Sequence, residues 1–176
     1  MPEHGKFKAL VHYVCWKCSD DPSKLGAVKL NKALWFSDVL SYADRGKPIT
    51  DARYVKQQFG PVPKAILPIL RTLEQENALR IEEVEYYGHR KRQYVALVEP
   101  DLSVFDESEI KIINKVIDVI TDGHTAASIS DLTHDEIWKL AEMGEEIPLH
   151  AVLASRLGKV TENDIKRAQE RMEEAA

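Results

Sequence analysis

The chain has 176 residues and a mass of 20.0 kDa, with 44% hydrophobic residues, 30% charged residues and a formal net charge of -5. This length and composition suit one globular domain with a buried core, and they exclude collagen-like, low-complexity and disordered classes. No apolar run approaches the roughly 18 to 20 residues of a membrane span, and the start of the chain lacks the apolar core of a signal peptide. We therefore expect a cytoplasmic protein without membrane contact.

The charges are unevenly distributed along the chain. Residues 1–100 contain 16 Lys and Arg against 12 Asp and Glu, whereas residues 101–176 contain 8 against 17. A basic first part suits an acidic partner or nucleic acid, and an acidic second part suits a basic partner or shields the first part. Ordinary variation of the surface explains the asymmetry equally well.

The first part of the chain is predicted to contain two helices. The first, over residues 6–18, carries the only two cysteines, Cys15 and Cys18, in a C-x-x-C arrangement. A zinc site needs further ligands and a thioredoxin-like motif needs a strand-to-helix junction, so two buried thiols are favoured over reactive chemistry. The second helix is broadly apolar and ends before Gly46 and Pro48, and we expect it at the centre of the fold.

The next segments combine an extended stretch, a helix and a hairpin. Residues 51–63 are predicted to be extended, because Pro61 and Pro63 disfavour helical geometry in the residues before them. Residues 64–77 have helical spacing of their apolar side chains, and two short strands follow around a turn near Gly88. The tip of this hairpin carries the basic residues His89, Arg90, Lys91 and Arg92.

The remainder of the chain is predicted to be helical. Asp106 and Glu109 form a capping-box pattern before an apolar stripe. A last helix is predicted over residues 161–174. The sequence indicates a single domain over residues 1–176, and residues 99–104 are the best position for an internal seam.

The order of these elements defines the expected fold class. We expect a compact α+β domain that is mainly helical and carries one small antiparallel β-hairpin. Two helices, an extended segment, a third helix and a hairpin with a basic tip follow one another as in a winged helix-turn-helix, whose hairpin contacts phosphates. The third helix offers few polar groups that could read base edges, and the overall charge is acidic, so DNA binding is the weaker hypothesis.

The sequence contains no recognisable catalytic pattern. It lacks a GxGxxG turn, a phosphate-binding loop, an H-E-x-x-H helix and a nucleophile elbow. The spacing of His124 and His134 matches no metal-ligand pattern. We therefore expect no catalytic residue, no metal and no cofactor, and a thiol-based enzyme would need a lowered thiol pKa at Cys15 or Cys18.

Two ordered motifs resemble a known family, the Panacea domain or SocA-like family, over about residues 7–155. The first motif consists of Lys29, Leu30, Asn31, Lys32, Trp35, Phe36, Asp38, residues 46–49, Tyr54 and residues 59–63. The second motif consists of Leu132, Thr133, His134 and Trp138.

The resemblance implies a protein-binding role. Members of the family act as antitoxins that bind cognate toxins, and the SocA-type member instead delivers its toxin to the ClpXP protease as an adaptor. A cognate protein toxin is therefore the expected partner, and a DNA-binding regulator of its own operon is the alternative. Aromatic residues are common at interface hot spots, although those on a broadly apolar helix usually belong to the core. The candidate partner-binding residues are Trp35, Phe36, Tyr54, Phe59, His134 and Trp138.

Charge suggests where a partner would bind. An acidic toxin or nucleic acid would contact the hairpin tip from His89 to Arg92, whereas a basic toxin would contact the acidic residues 135–146 and the C-terminal helix.

Overall fold

A computed structural model describes residues 5–133 and 136–151 of the chain, without the side chains of residues 136 and 137. The fold is α+β and mainly helical, as predicted. No helix in the described ranges is long and apolar enough to cross a membrane. The elements are α1 (Gly5–Lys17), a 3₁₀ helix (Pro22–Lys24), α2 (Ala27–Arg45), β1 (Tyr54–Gln57), β2 (Gly60–Pro63), α3 (Ile66–Gln75), β3 (Leu79–Tyr86), β4 (His89–Ala96), α4 (Glu107–Gly123), α5 (Ala126–Asp131) and α6 (Glu136–Leu140).

Helix α2 is the central element of the fold. It packs against α1, α4, α5 and strands of both hairpins, because its buried side chains extend around much of its circumference. Gly46 ends the helix in the left-handed conformation, with φ +73°, and its N–H donates to the carbonyl of Tyr42 at 3.0 Å. The predicted central helix and its glycine end are therefore confirmed.

The segment predicted only as extended forms a second antiparallel hairpin, so residues 5–133 and 136–151 contain two hairpins where the sequence predicted one. Pro61 pairs with Lys56 and Pro63 pairs with Tyr54. The bond from Lys64 N to Arg53 O, at 2.8 Å, places both prolines at pair positions that exchange no hydrogen bonds. Their missing N–H groups are therefore not needed for the pairing.

The free edge of β1 is covered by residues 144–147. Lys56 N donates to Glu145 O at 2.8 Å, and Ile147 N donates to Tyr54 O at 2.8 Å. These bonds join the first hairpin to a segment about 90 residues later in the chain. They fix the position of the hairpin between α2 and the end of the described chain.

The β3–β4 hairpin turns where the sequence predicted it. Tyr87 and Gly88 form a two-residue turn, and both have positive φ, at 47° and 77°. Such turns match the twist of the strands that they join. Pro68 is tolerated in α3 because it is the third helical residue, whose N–H has no partner within the helix.

A predicted capping box begins α4 and also joins three helices. Glu109 N donates to Asp106 Oδ1 at 2.9 Å, and Asp106 N donates to Glu109 Oε2 at 3.0 Å. The buried Glu109 carboxylate also pairs with Lys6 Nζ of α1 at 2.7 Å and with Arg45 Nη1 of α2 at 3.4 Å. Buried charges of this kind are tolerated only when they are paired.

The hydrophobic core includes residues from both sides of the predicted seam at 99–104, such as Tyr94 and Ile113. The division into domains stays a prediction. The predicted helix over residues 161–174 lies outside the described residues.

Candidate functional site

One group of motif residues forms a buried polar network between α2 and β1. The Asp38 carboxylate accepts hydrogen bonds from Thr50 N at 2.7 Å, Thr50 Oγ1 at 2.6 Å and the Tyr54 hydroxyl at 2.6 Å. Burial raises the pKa of Asp38 to about 6, and these hydrogen bonds act in the opposite direction. The ring of Tyr54 meets Trp35 edge to face, with centroids 4.9 Å apart. The network holds the first hairpin against the central helix.

Two of the candidate partner-binding aromatics are therefore core residues. Trp35 is 4% exposed and Tyr54 is 1% exposed, because α2 is covered on this side by the first hairpin. Both residues pack in the core of the free chain, and their contact with a partner stays a prediction. Phe36 is half-buried and packs against the same core.

A second group of motif residues holds the turn of the first hairpin. Lys32 lies almost fully buried in α2, and its ammonium group donates to the carbonyl of Phe59. The next residue, Gly60, has a φ of +111°, and a Cβ atom there would overlap Lys32 Nζ and Thr133 Oγ1. Glycine is required at this position both by the backbone conformation and by the lack of space.

Lys32 is an unusual buried amine. No carboxylate among the described residues pairs with it, and it donates a hydrogen bond to the Phe59 carbonyl. Burial lowers the pKa of Lys32 to about 7. Thr133, from the second motif, is also buried here and donates its hydroxyl to Ser130 O at 2.8 Å. Residues of the two motifs therefore meet at Gly60.

A third contact joins Trp138 to the first hairpin. Lys56 Nζ lies 4.1 Å from the centroid of the Trp138 ring and donates to Ala141 O at 2.8 Å. Lysine over an indole is a favourable cation–π arrangement. Trp138 is half-buried, so it supports this region and leaves only part of its ring for a partner. His134, another candidate, lies outside the described residues.

Four large apolar side chains are exposed on the segments that these contacts hold together. We name them the apolar face: Phe59 (54% exposed), Leu132 (58%), Leu140 (81%) and Met143 (60%). Phe59 precedes Gly60 and Leu132 precedes Thr133 in the sequence, and Gly60 packs against the Thr133 side chain. Leu140 and Met143 flank Ala141, whose carbonyl holds Lys56. Large apolar side chains that stay exposed on ordered segments are candidates for contact with a partner.

Sequence reasoning identified Phe59 but overlooked Leu140 and Met143 as surface residues. The available signal was the occurrence of large apolar side chains within the acidic segment 135–146. Without a known helix length or packing partner, the apolar periodicity there does not distinguish core from surface.

The basic hairpin tip is only partly directed outward. The Arg90 side chain is 90% exposed, with Nη1 3.9 Å from Glu83 Oε2. Lys91 bends back, donates to Ser23 O, and places Nζ 4.7 Å from the centroid of the Tyr86 ring. Lys91 therefore contacts the protein itself, whereas His89, Arg90 and Arg92 are exposed, and the contact of this tip with an acidic partner or nucleic acid stays a prediction.

Helix α3 has little capacity to read DNA. Over its described length, its exposed charged residues are Arg71 and Glu74. A recognition helix needs donors for phosphates and base edges, and Glu74 repels phosphates.

Both cysteines are buried free thiols, as the sequence favoured. Burial raises the pKa of the Cys18 thiol to about 11 and raises that of Cys15 still further. A reactive thiolate needs the opposite shift.

Comparison with known proteins identifies the family. Residues 30–139 match the family model described as antitoxin SocA-like, Panacea domain. This range contains the Asp38 network, the contact of Gly60 with Lys32 and Thr133, and Trp138. No curated protein and no solved structure matches the chain. Because the match spans more than half of the 176 residues, the chain belongs to the SocA-like antitoxin family with a Panacea domain.

Proposed function

We propose that this protein neutralises a cognate protein toxin by binding it directly through the apolar face. The observation that carries the proposal is the exposure of four large apolar side chains on segments that the family's motif residues hold together. A partner that covers these side chains gains free energy from the apolar area removed from water.

The apolar face is held in place before a partner arrives. The carbonyl of Phe59 is fixed by Lys32, and Gly60 packs closely against Lys32 and Thr133. Lys56 fixes the other end of the face through Trp138 and Ala141. A surface that is already ordered loses less conformational entropy on binding.

The surroundings of the face can add selectivity. Arg53 Nε lies 3.0 Å from Glu146 Oε1, and both side chains are accessible to solvent beside the covered edge of β1. Charged groups at the margin of an interface mainly affect association rate and partner choice. The proposed binding role needs no catalytic residue.

The test is co-expression with the reading frame adjacent to this gene in its native genome. We expect the neighbour alone to arrest growth, and the tagged protein to restore growth and to co-purify with it. Leu140→Ser should abolish both effects, because Leu140 is the most exposed member of the face. The control is Val119→Ser, which removes an exposed apolar side chain on α4 and should leave both effects intact.

The same experiment separates two ways of neutralising a toxin. If binding occludes the toxin, its amount stays constant and the two proteins co-purify. If the protein acts as an adaptor for a ClpXP-type protease, the amount of toxin falls, and deletion of the protease restores toxicity. Rescue and co-purification that are identical for wild type and Leu140→Ser would contradict the role of the apolar face.

A further inference from the structure

A cleft lined by basic residues lies apart from the apolar face. It has a volume of about 610 Å³ and opens between the start of α2, the tip of the β3–β4 hairpin and the junction of α4 and α5. None of the described residues that line it is an aspartate or a glutamate. Its cationic and histidine side chains define what we name the basic cleft: Lys24, Lys29, Arg90, Lys91, Arg92 and His124.

Two lysines inside the basic cleft donate hydrogen bonds to neutral carbonyl oxygens. Lys29 Nζ lies 3.4 Å from Thr121 O, and Lys91 Nζ donates to Ser23 O. Both side chains are partly buried, and burial lowers the pKa of each, with the Lys91 charge adding to the effect on Lys29. An anion between them would relieve this repulsion and use their remaining N–H groups.

The carboxylates near the cleft lie at its margin. Asp122 pairs with Lys24 at 3.2 Å, and Glu83 lies 3.9 Å from Arg90. These pairs are exposed, and the charges of Asp122 and Asp21 offset only in part the effect of burial, which still lowers the pKa of Lys29 and of Lys91. The cations surround a cleft of about 610 Å³, a volume that suits a compact ligand better than an extended nucleic acid.

The wall of the cleft also includes a close contact between two segments and two apolar side chains. Lys91 crosses Gly26 so closely that a Cβ atom there would lie 3.1 Å from Lys91 Cε. Val28 and Tyr86 line the same space, and Tyr86 is 47% exposed. Sites for small molecules commonly have volumes of roughly 300 to 1,000 Å³ and combine apolar walls with a few polar groups.

We infer that the basic cleft binds a compact polyphosphate-bearing ligand of nucleotide size. Its phosphates would contact Lys29, Lys91 and Arg92, and its base would lie against Tyr86 and Val28. This inference is independent of toxin binding, because the residues that carry it are separate from the apolar face.

The test is titration of the purified full chain at low salt with a fluorescent ADP derivative, followed by competition with unlabelled ADP, tripolyphosphate and a short single-stranded DNA. We expect saturable binding that ADP and tripolyphosphate displace. Arg92→Gln should weaken it roughly tenfold, as expected for the loss of one charge-assisted hydrogen bond. Arg71→Gln, an exposed arginine on α3 outside the cleft, is the matched control and should bind as wild type.

The result with each competitor tests a different part of the proposal. Equal displacement by ADP and tripolyphosphate supports the phosphate site and overturns the contact of the base with Tyr86. Absence of saturable binding overturns the proposal, as does an equal loss in Arg92→Gln and Arg71→Gln. Displacement by DNA at far lower concentration than by tripolyphosphate also overturns it, in favour of nucleic-acid binding. Circular dichroism and the Tm of each variant confirm folding, and Lys29→Gln provides a second test within the cleft.

Discussion

The ammonium group of Lys32 occupies the space that a side chain at Gly60 would need. Lys32 comes from the central helix and Gly60 from the turn of the first hairpin, 28 positions later in the numbering. The buried lysine and the glycine therefore depend on each other, and substitution of either should disturb the turn that carries Phe59.

Gly60→Ala is expected to lower the free energy of unfolding by about 3 kcal/mol or more, because it combines backbone strain with a steric overlap. Gly46→Ala is the matched control. Gly46 also has a positive φ, of +73°, but nothing lies within 4 Å of its added Cβ, so we expect a loss of only about 1 kcal/mol. Urea denaturation measures both, and equal losses would contradict the close contact with Lys32.

Lys32 should make stability depend on pH. Burial lowers its pKa from 10.5 to about 7 in the folded chain. Between these values the unfolded chain holds more protons on this group, so the stability contributed by Lys32 rises with pH from about 7 to 10.5 and is constant below that window.

The measurement compares wild type with Lys32→Met by urea denaturation across that pH range. The stability of wild type relative to the variant should increase with pH. The control is Lys111→Met, at an exposed position on α4. A difference between wild type and Lys32→Met that stays constant with pH would show that the folded chain does not hold Lys32 in a desolvated site.

Asp38→Ala should be strongly destabilising. It removes the acceptor of three hydrogen bonds and leaves the buried Thr50 amide and Thr50 hydroxyl without this acceptor, whereas the Tyr54 hydroxyl keeps the carbonyl of Leu34 at 3.0 Å. A loss of about 3 kcal/mol is expected from unsatisfied buried donors. Asp118→Ala, at an exposed position on α4, should be nearly neutral, and a similarly small change in Tm for Asp38→Ala would contradict the importance of the network.

The two cysteines should react slowly in the folded protein. Cys18 has a pKa raised to about 11, and Cys15 is completely buried, so little thiolate is present near neutral pH. We expect iodoacetamide to modify both residues rapidly in urea and slowly in buffer at pH 8, as followed by mass spectrometry. Rapid modification of the folded chain would contradict the raised thiol pKa values and would support the hypothesis of a thiol-based function.

Local sequence signals predicted the elements whose structure is decided locally. The Gly88 turn needs positive φ at two neighbouring residues, and the Asp106 capping box needs groups only three residues apart. Both were predictable because the sequence contains all the participating atoms within a few positions.

The candidate site could not be predicted in the same way because its contacts are long-range. The burial of Tyr54 depends on α2, and the cover on β1 comes from residues 144–147. The inward direction of Lys91 depends on Ser23, which lies on another element. Aromatic and charged residues at these positions were recognisable, but only the packing of distant segments decides which of them reach the surface.

Phe59→Ser should separate toxin binding from folding. The Phe59 side chain is 54% exposed, whereas the group that Lys32 contacts is its backbone carbonyl, which serine retains. We expect a change in the free energy of unfolding below about 1 kcal/mol, together with a Kd for the toxin raised roughly thirtyfold, as for an interface hot spot. A binding assay on immobilised toxin gives the Kd of each variant, and urea denaturation curves give its free energy of unfolding. Gly60→Ala should weaken both stability and binding, because it displaces the turn itself. If Phe59→Ser left the Kd unchanged while Leu140→Ser raised it, the hairpin turn would lie outside the interface and the contact would belong to the later segment.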